Sequence, residues 1–393
     1  MRTGLPNEMR KGAEMVPGNA EIWDRLGRYY LLSFSDPNIP LAISTLQRAV
    51  DVDPLSENYW LDLATAYDAN GDTAGAERAY EEAHRVYPTS AVVDWNYGNF
   101  LLRENKQAQA LDEIDKAVRG DPNLLTLAIS RVWHSSEDVN ELLDHVIPPN
   151  VNSYTQALDF FESIHQLQPG MAVWERLVAC KQPIALARIF NFWNDLMRED
   201  DNVEALRIWN EGVAAAGEPG LAVQGESLIS DGTFREGFPN GGLGWRWTAQ
   251  GGTVIDFDSA TPDGKGRSVR LDFSGTVNSN ITEPLQYVAV QPGKTYHFHA
   301  AIRTDQISTD SGLRFLLDDA THAGMRMQSE DLTGTHPWTN VDMNVTATPH
   351  THFLSIELFR EPSRRFDNKL AGTVWVADVS LVPTEDATPL TLK

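Results

Sequence analysis

Three prolines at a constant spacing constrain the fold of this chain more than any other feature of its sequence. Pro54, Pro88 and Pro122 follow one another at intervals of 34 residues. An internal period of about 20–50 residues is typical of repeat proteins, in which each repeat is one supersecondary unit that buries its hydrophobic face against its neighbours. The spacing therefore predicts an array of repeated units over the first third of the chain.

The residues between these prolines also recur in a fixed order. The second unit contains Trp60, Leu63, Ala64, Tyr67, Gly71, Ala76, Tyr80, Ala83 and Pro88. The third unit supplies Tyr97, Gly98, Leu101, Ala110, Ile114, Ala117 and Pro122. The first unit supplies Trp23, Leu26, Gly27, Tyr30, Ala42, Leu46, Ala49 and Pro54. This pattern resembles the tetratricopeptide repeat (TPR) family, which implies three helix pairs within residues 19–122.

Helical patterning continues on both sides of these three units. Residues 1–18 are predicted to be a partial repeat helix, because residues 8–15 look like the end of the second helix of a pair. Residues 123–215 keep apolar side chains at helical spacing but lack the signature, which predicts degenerate helical repeats. The helical pattern stops at residues 216–226, so we interpret this segment as a linker.

The TPR resemblance implies a partner-binding groove lined by the first helix of each pair. Candidate groove residues are Arg28, Leu61, Trp95 and Asn99. The chaperone-adaptor subgroup of the family binds a C-terminal carboxylate with a clamp of lysines and asparagines. Only Asn99 fits that clamp here and the lysines are missing, which argues against this subgroup. Trp95 is either a binding anchor or a residue packed against the next helix.

From residue 227 onward, glycines and prolines separate short runs of alternating polarity. In one run Val269, Leu271 and Phe273 alternate with polar residues, and such alternation is typical of half-buried β-strands. In the last run we expect Trp375, Ala377, Val379 and Leu381 to share one face. Eight or nine such strands predict a sandwich over residues 227–385, followed by a tail at 386–393. The predicted fold is therefore multidomain, an all-α TPR-like solenoid followed by an all-β jelly-roll sandwich.

Four segments of the sandwich region resemble the carbohydrate-binding-module (CBM) jelly rolls, which have galactose-binding-like folds. They are Asp231-Gly232-Thr233-Phe234-Arg235, Gly244-Trp245, Pro292-Gly293-Lys294-Thr295-Tyr296 and Val374-Trp375-Val376-Ala377-Asp378-Val379-Ser380-Leu381. The resemblance implies glycan binding. Many such modules hold a structural calcium ion through two acids, but those positions are Arg235 and Ala377 here. A hard cation needs several oxygen ligands, so we expect no calcium and no other cofactor. The combination of both halves also resembles bacterial TPR proteins associated with surface-polysaccharide systems.

Glycan binding usually combines exposed aromatic rings with polar groups that hydrogen-bond hydroxyls. Candidate residues are Trp247, Tyr287, His297, His299, Arg364 and Arg365. Each has an alternative interpretation, since Trp247 can be packed and the two arginines can order a loop through ion pairs. Trp245 and Trp338 are interpreted as packed residues. His297 and His299 lie on one face of a strand and can chelate a metal, but no third ligand is evident, so we predict no metal site.

Composition and motifs exclude several classes of function. The chain has 55 acidic and 32 basic residues and a net charge of −23, which makes nucleic acid an unfavourable partner. The sequence contains no apolar segment of the roughly 20 residues that a transmembrane helix needs. The sequence also lacks the nucleophile elbow, the zinc-protease motif, the P-loop and the dinucleotide fingerprint, so we predict that the protein is not an enzyme.

Two hypotheses follow for the function. In the first, the protein is a non-catalytic scaffold whose solenoid binds a protein and whose sandwich binds a glycan, in surface-polysaccharide assembly or export. In the second, it is a purely structural adaptor whose sandwich has lost its ligand. The compartment stays open. The N-terminal residues lack the apolar core of a signal peptide, but an array that starts within a repeat suggests a missing upstream segment. An export signal or anchor there would place the protein in the periplasm or cell envelope, and otherwise it is cytoplasmic.

Overall fold

The computed structural model describes residues 5–33, 37–322, 324–366 and 368–384. The predicted tail at 386–393 lies outside the described residues. The chain divides into two compact units, one ending at Phe160 and the other beginning at Phe161. In the described part of the chain, no helix is both long enough and apolar enough to cross a membrane.

The first unit consists of antiparallel helix pairs, as the repeat pattern predicts. The pairs with the full signature are α2 (Ala20–Leu32) with α3 (Ile39–Val52), α4 (Glu57–Ala69) with α5 (Thr73–Val86), and α6 (Ala91–Arg103) with α7 (Gln107–Gly120). Before them lies α1 (Leu5–Met15), and after them come α8 (Leu125–Ser136), α9 (Val139–His145) and α10 (Val151–Ser163), within which the division at Phe160 falls.

Glycine and proline occupy the signature positions for physical reasons that the structure makes visible. A Cβ atom at Gly98 would lie 2.8 Å from Cγ1 of Ile114 and 3.2 Å from its backbone nitrogen, so only glycine lets α6 and α7 approach this closely. Gly71 follows α4 with a φ of +74°, the left-handed conformation that ends many helices. The second helices α3, α5 and α7 each end two residues before one of the regularly spaced prolines.

The second unit begins with helices and continues into a β-sandwich. Its complete helices are α11 (Leu167–Ala179), α12 (Phe190–Arg198) and α13 (Asn202–Ala216). Its strands are β1 (Thr253–Asp258), β2 (Ser268–Ser274), β3 (Leu285–Ala289), β4 (Thr295–Ile307), β5 (Arg314–Asp319), β6 (Arg326–Gln328), β7 (Gly334–Thr346), β8 (Phe353–Phe359) and β9 (Ala371–Pro383).

The strands form two antiparallel sheets that enclose one core. The first has the order β1-β2-β9-β4-β7 and the second the order β3-β8-β5-β6. Alternate residues of facing strands fill the core, among them Leu271, Phe298, Phe315, Ile356 and Val376. Together with the helical first unit, this confirms the predicted fold class of an all-α TPR-like solenoid followed by an all-β sandwich.

A β-bulge in β9 corrects the predicted facing of the last strand. His299 pairs with Ser380 and Ala301 pairs with Ala377, so Asp378 and Val379 together oppose one residue of β4. Asp378 has a φ of +51°. Because the extra residue changes the alternation, Val374 and Val376 enter the core before the bulge and Val379 and Leu381 after it. Trp375 therefore lies on the opposite face from Val379.

Helices α12 and α13 pack against the second sheet within this unit. Trp193 of α12 is fully buried and its indole N–H donates to the carbonyl oxygen of Ala205, 3.0 Å away. The Trp193 ring stacks on Tyr287 of β3 at a centroid distance of 6.4 Å and meets Phe353 of β8 edge-on at 5.8 Å. These aromatic contacts join the helices and the sheet into one packed body.

Candidate functional site

The first candidate site is a pair of cavities on one face of the first unit. The groove pocket has a volume of about 560 Å³ and is lined by Glu21, Asp24, Arg25, Arg28, Asn58, Tyr59, Leu61, Asp62, Thr65 and Asn96. The second groove cavity, of about 440 Å³, is lined by Trp95, Asn96, Asn99, Leu102, Arg103, Arg131, His134 and Ser135. Every lining residue comes from α2, α4, α6 or α8, the first helices of successive pairs.

The structure places the four predicted groove residues in these two cavities. Arg28 and Leu61 line the groove pocket, whereas Trp95 and Asn99 line the second groove cavity. Leu61 is buried, whereas Trp95 is half-buried and so keeps part of its surface accessible. The side-chain amide of Asn99 donates to the carbonyl oxygen of Trp95 at 2.7 Å, which holds that amide against its own helix.

Two acidic side chains form the floor of the groove pocket. Asp24 is only 6% exposed, and its Oδ1 atom has no hydrogen-bond partner among the described residues. Burial, and then the neighbouring carboxylate of Asp62, raise the pKa of Asp24 to about 7. Burial also raises the pKa of Asp62. The closest cation is Arg28, whose Nε lies 3.9 Å from Asp62 Oδ2. No local pattern in the sequence indicates this pair, because its members are in different repeats.

The second candidate site is the outward face of the five-stranded sheet. On it, the ring of Trp375 lies beneath two guanidinium groups, 4.4 Å from that of Arg303 and 5.8 Å from that of Arg270. Its indole N–H donates to Asp258 at 3.0 Å. Cation–π contacts of this kind cover the ring, and Trp375 is consequently only 8% exposed.

A cavity beside Arg303 continues this face. The edge cavity has a volume of about 530 Å³ and is lined by Arg303, Thr304, Asp305, Thr335, His336, Pro337 and Trp338. Trp338 is half-buried and so presents part of its ring to the cavity. The sequence pattern predicts a packed Trp338, whereas the structure leaves part of it accessible at this cavity.

His297 and His299 lie on the same outward face as a hydrogen-bonded cluster. Asp342 Oδ1 lies 2.8 Å from Nδ1 of His299 and 3.1 Å from Nε2 of His297. The amide oxygen Oδ1 of Asn344 lies 3.1 Å from Nδ1 of His297 and accepts its hydrogen bond. The hydrogen bond from His299, together with both imidazole charges, lowers the pKa of Asp342. The carboxylate thus orients the two rings, which the sequence had shown only as neighbours on one strand.

The remaining glycan candidates lie elsewhere. Tyr287 is on β3 of the other sheet, stacked on Trp193 and covered by Arg246 at 4.5 Å. Trp247 is half-buried against the sandwich core. Arg364 and Arg365 lie in the loop between β8 and β9. Arg364 is exposed, and Arg365 forms an ion pair of 2.8 Å with Asp310 of the β4–β5 loop. The structure therefore places the two histidines side by side, whereas these four residues lie apart from them.

Two positions bear on the expectation of no calcium. Ala377 is fully buried next to the bulge of β9. Arg235 is exposed, and its backbone N–H donates to Asp231 Oδ1 at 2.9 Å. Neither position supplies a side-chain oxygen for a cation, and the expectation stays a prediction. Within the described residues, one group of three side chains, His84, Asp94 and Glu113, has ligand atoms all within 4.8 Å of one another.

Comparison with known proteins supports the repeats. Residues 38–91 and 61–124 match the family model described as tetratricopeptide repeat. No curated protein matches this chain. Among solved structures, MamA matches at 14% identity over 45% of this chain and 87% of that chain, with a TM-score of 0.30. Pseudomonas aeruginosa PilF matches at 15% identity over 52% and 90%, with a TM-score of 0.29.

A solved CBM4 structure also matches, at 19% identity over 40% of this chain and 99% of that chain, with a TM-score of 0.29. All three TM-scores are below 0.5, so these likenesses indicate neither a ligand nor a partner. The two matches together span residues 38–124, and this part of the chain therefore carries tetratricopeptide repeats.

Proposed function

We propose that this protein is a non-catalytic scaffold whose TPR groove binds a protein partner. One observation supports this above all. The two groove cavities lie on successive first helices and share Asn96, so they form one continuous concave surface across α2, α4, α6 and α8. A surface of this kind suits an extended or helical segment of another protein, since it offers neighbouring pockets for successive side chains.

Trp95 is the residue on which we expect partner binding to depend most. Half-buried tryptophans at the centre of an interface are typical hot spots, and truncating one costs about 2 kcal/mol or more of binding free energy. Trp95→Ala should therefore weaken the partner complex by roughly thirtyfold, by the relation that 1.4 kcal/mol is tenfold.

A site-specific photocrosslinker tests this half of the proposal. Placed at Asn96, it should give a discrete crosslinked product that disappears in a Trp95→Ala background. The same crosslinker placed at Arg85, which is exposed on the second helix α5, is the matched control and should give no such product. Equal crosslinking from both positions would contradict binding in the groove.

We also propose that the sandwich binds a glycan in surface-polysaccharide assembly or export. Its support is the edge cavity, in which Trp338 offers a ring face and Arg303, Asp305 and His336 offer hydrogen-bonding groups. The His297–His299–Asp342 cluster continues that polar surface along β4 and β7. Pockets with one aromatic wall and a few convergent polar groups are typical of small-molecule sites.

A glycan array with the whole chain tests the assignment. We expect binding that Trp338→Ala abolishes and that Trp247→Ala, a change of the same residue type off this face, leaves intact. An array with no binding would favour the alternative, a structural adaptor whose sandwich serves only protein contacts. Binding that survives Trp338→Ala would move the site away from the edge cavity.

A further inference from the structure

In the third signature pair, a charged residue occupies the position that the first two signature pairs fill with tryptophan. Trp23 and Trp60 hold this place in the first two signature pairs, and each indole N–H donates to the carbonyl oxygen of a proline six residues earlier. The corresponding residue of the third pair is Asp94, which comes 34 residues after Trp60. Asp94 is only 3% exposed. A carboxylate buried in an apolar position destabilises the fold unless another group compensates it, and such local conflicts mark functional sites.

Two further side chains converge on Asp94 from the neighbouring second helices. His84 projects from α5, and its Nδ1 lies 3.2 Å from Asp94 Oδ1. Glu113 projects from α7, and the three potential ligand atoms all lie within 4.8 Å of one another. Because α5 belongs to the second pair and both α6 and α7 to the third, the cluster lies at the junction of two repeats.

One carboxylate oxygen of Glu113 has no hydrogen-bond partner among the described residues. Lys116 binds Glu113 through an Nζ–Oε1 contact of 2.7 Å. Glu113 Oε2 is buried and has no hydrogen-bond partner in the part of the chain that the structure describes. The Glu113 side chain is 14% exposed, whereas that of Lys116 is 49% exposed. The lysine therefore pairs with one oxygen and leaves the buried one available to a ligand.

The local charge favours a cation between these groups. The Asp94 and Glu113 carboxylates lie close together, and the His84 side chain beside them is 35% exposed. A bound cation would remove the repulsion between them, and an ion can enter from the exposed imidazole side.

We propose that His84, Asp94 and Glu113 bind a divalent transition metal ion of the zinc class, which links the second and third repeats. One imidazole nitrogen and two carboxylate oxygens suit zinc, because calcium prefers six to eight oxygen ligands and magnesium keeps a mostly aqueous shell. Zinc–ligand distances are about 2.0–2.2 Å. Binding would draw the three atoms, which now lie within 4.8 Å of one another, to that distance from the ion, and water would complete the fourth position.

Zinc titration of the whole chain, first stripped with a chelator, tests this site. Calorimetry should show an equivalent of zinc that is lost, or weakened more than about tenfold, in Glu113→Gln and in His84→Ala, since even outer-shell partners are typically worth that much. The matched control is His145→Ala, which changes an exposed histidine of α9 outside the cluster. It should bind zinc as the wild type does.

A second measurement separates this site from the exposed histidines of the sandwich. Zinc at roughly a hundredfold above its Kd should raise the melting midpoint of the helical signal by about 5 °C. A His297→Ala/His299→Ala variant should keep that increase, and Glu113→Gln should lose it. Circular dichroism of Glu113→Gln checks that the variant folds, and His84→Ala serves if it does not. Zinc binding of equal stoichiometry and affinity in wild type and Glu113→Gln would overturn the proposal, as would no zinc binding by the wild type.

Discussion

The buried acid pair in the groove pocket predicts that the first unit loses stability as the pH rises. Asp24 has a pKa of about 7 in the folded protein, through burial and then through Asp62. An aspartate in the unfolded chain has a pKa of about 3.9. Between these values the folded state binds more protons than the unfolded state, so the free energy of unfolding decreases with pH. The stabilisation from the protonated Asp24 is complete below pH ~4 and is lost by pH ~7.

The size of the effect follows from the difference between the two pKa values. A separation of about three pH units at 1.36 kcal/mol per unit gives roughly 4 kcal/mol as an upper bound. About 2.5 kcal/mol of this falls between pH 5 and pH 8, because at pH 5 the unfolded chain has already released its proton. Asp24→Asn keeps the shape and a donor toward Asp62 but removes the proton uptake.

Urea unfolding followed by far-UV circular dichroism at pH 5 and pH 8 measures the effect. We expect the wild type to lose about 2.5 kcal/mol over this range and Asp24→Asn to lose at least 2 kcal/mol less. The control is Glu21→Gln, in the same pocket, whose side chain is 60% exposed and pairs with Arg25 at 2.6 Å. It should keep the wild-type pH dependence. An Asp24→Asn variant with the same pH dependence as the wild type would refute the reasoning.

Four further predictions concern stability. Gly98→Ala should destabilise the first unit by about 1–3 kcal/mol, because the new Cβ meets backbone atoms of α7. Gly12→Ala, with no atom within 4 Å of its Cβ, should instead stabilise it by about 0.5–1 kcal/mol in the same urea experiment. Arg360 is fully buried and donates to Ser311 and Thr309, so Arg360→Met should lower the sandwich's free energy of unfolding by about 3 kcal/mol or more. Trp193→Ala should cost about 3–5 kcal/mol and separate the unfolding of α12 from that of the second sheet, seen as a second transition.

The fold could be predicted where packing repeats along the sequence. Gly27 and Gly98 recur because two helices must approach closely in every pair, and that need leaves a period. The strands could be predicted for the same kind of reason, since a sheet with one buried face alternates. The bulge at Asp378 could not, because a single inserted residue leaves no period and depends on pairing with β4.

The candidate sites were harder to predict, because each joins residues that are distant in sequence. Asp342 meets His299 across two strands, and Asp24 meets Asp62 across two repeats. Such pairs depend on register and on the stacking of helix pairs, which no local pattern encodes. Asp94 is different, since its departure from the repeat signature is visible in the sequence. Only the structure shows that His84 and Glu113 surround it.

The central place of β9 determines when the sandwich can form during synthesis. This strand is the last of the described strands in chain order, yet it lies between β2 and β4 in the middle of its sheet. Until it leaves the ribosome, β1-β2 and β4-β7 are two separate strand pairs whose inner edges have no partner. The helix pairs of the first unit contact mainly their neighbours in sequence and can fold as they emerge. A nascent chain therefore presents a folded groove while two open strand edges still need protection from other chains.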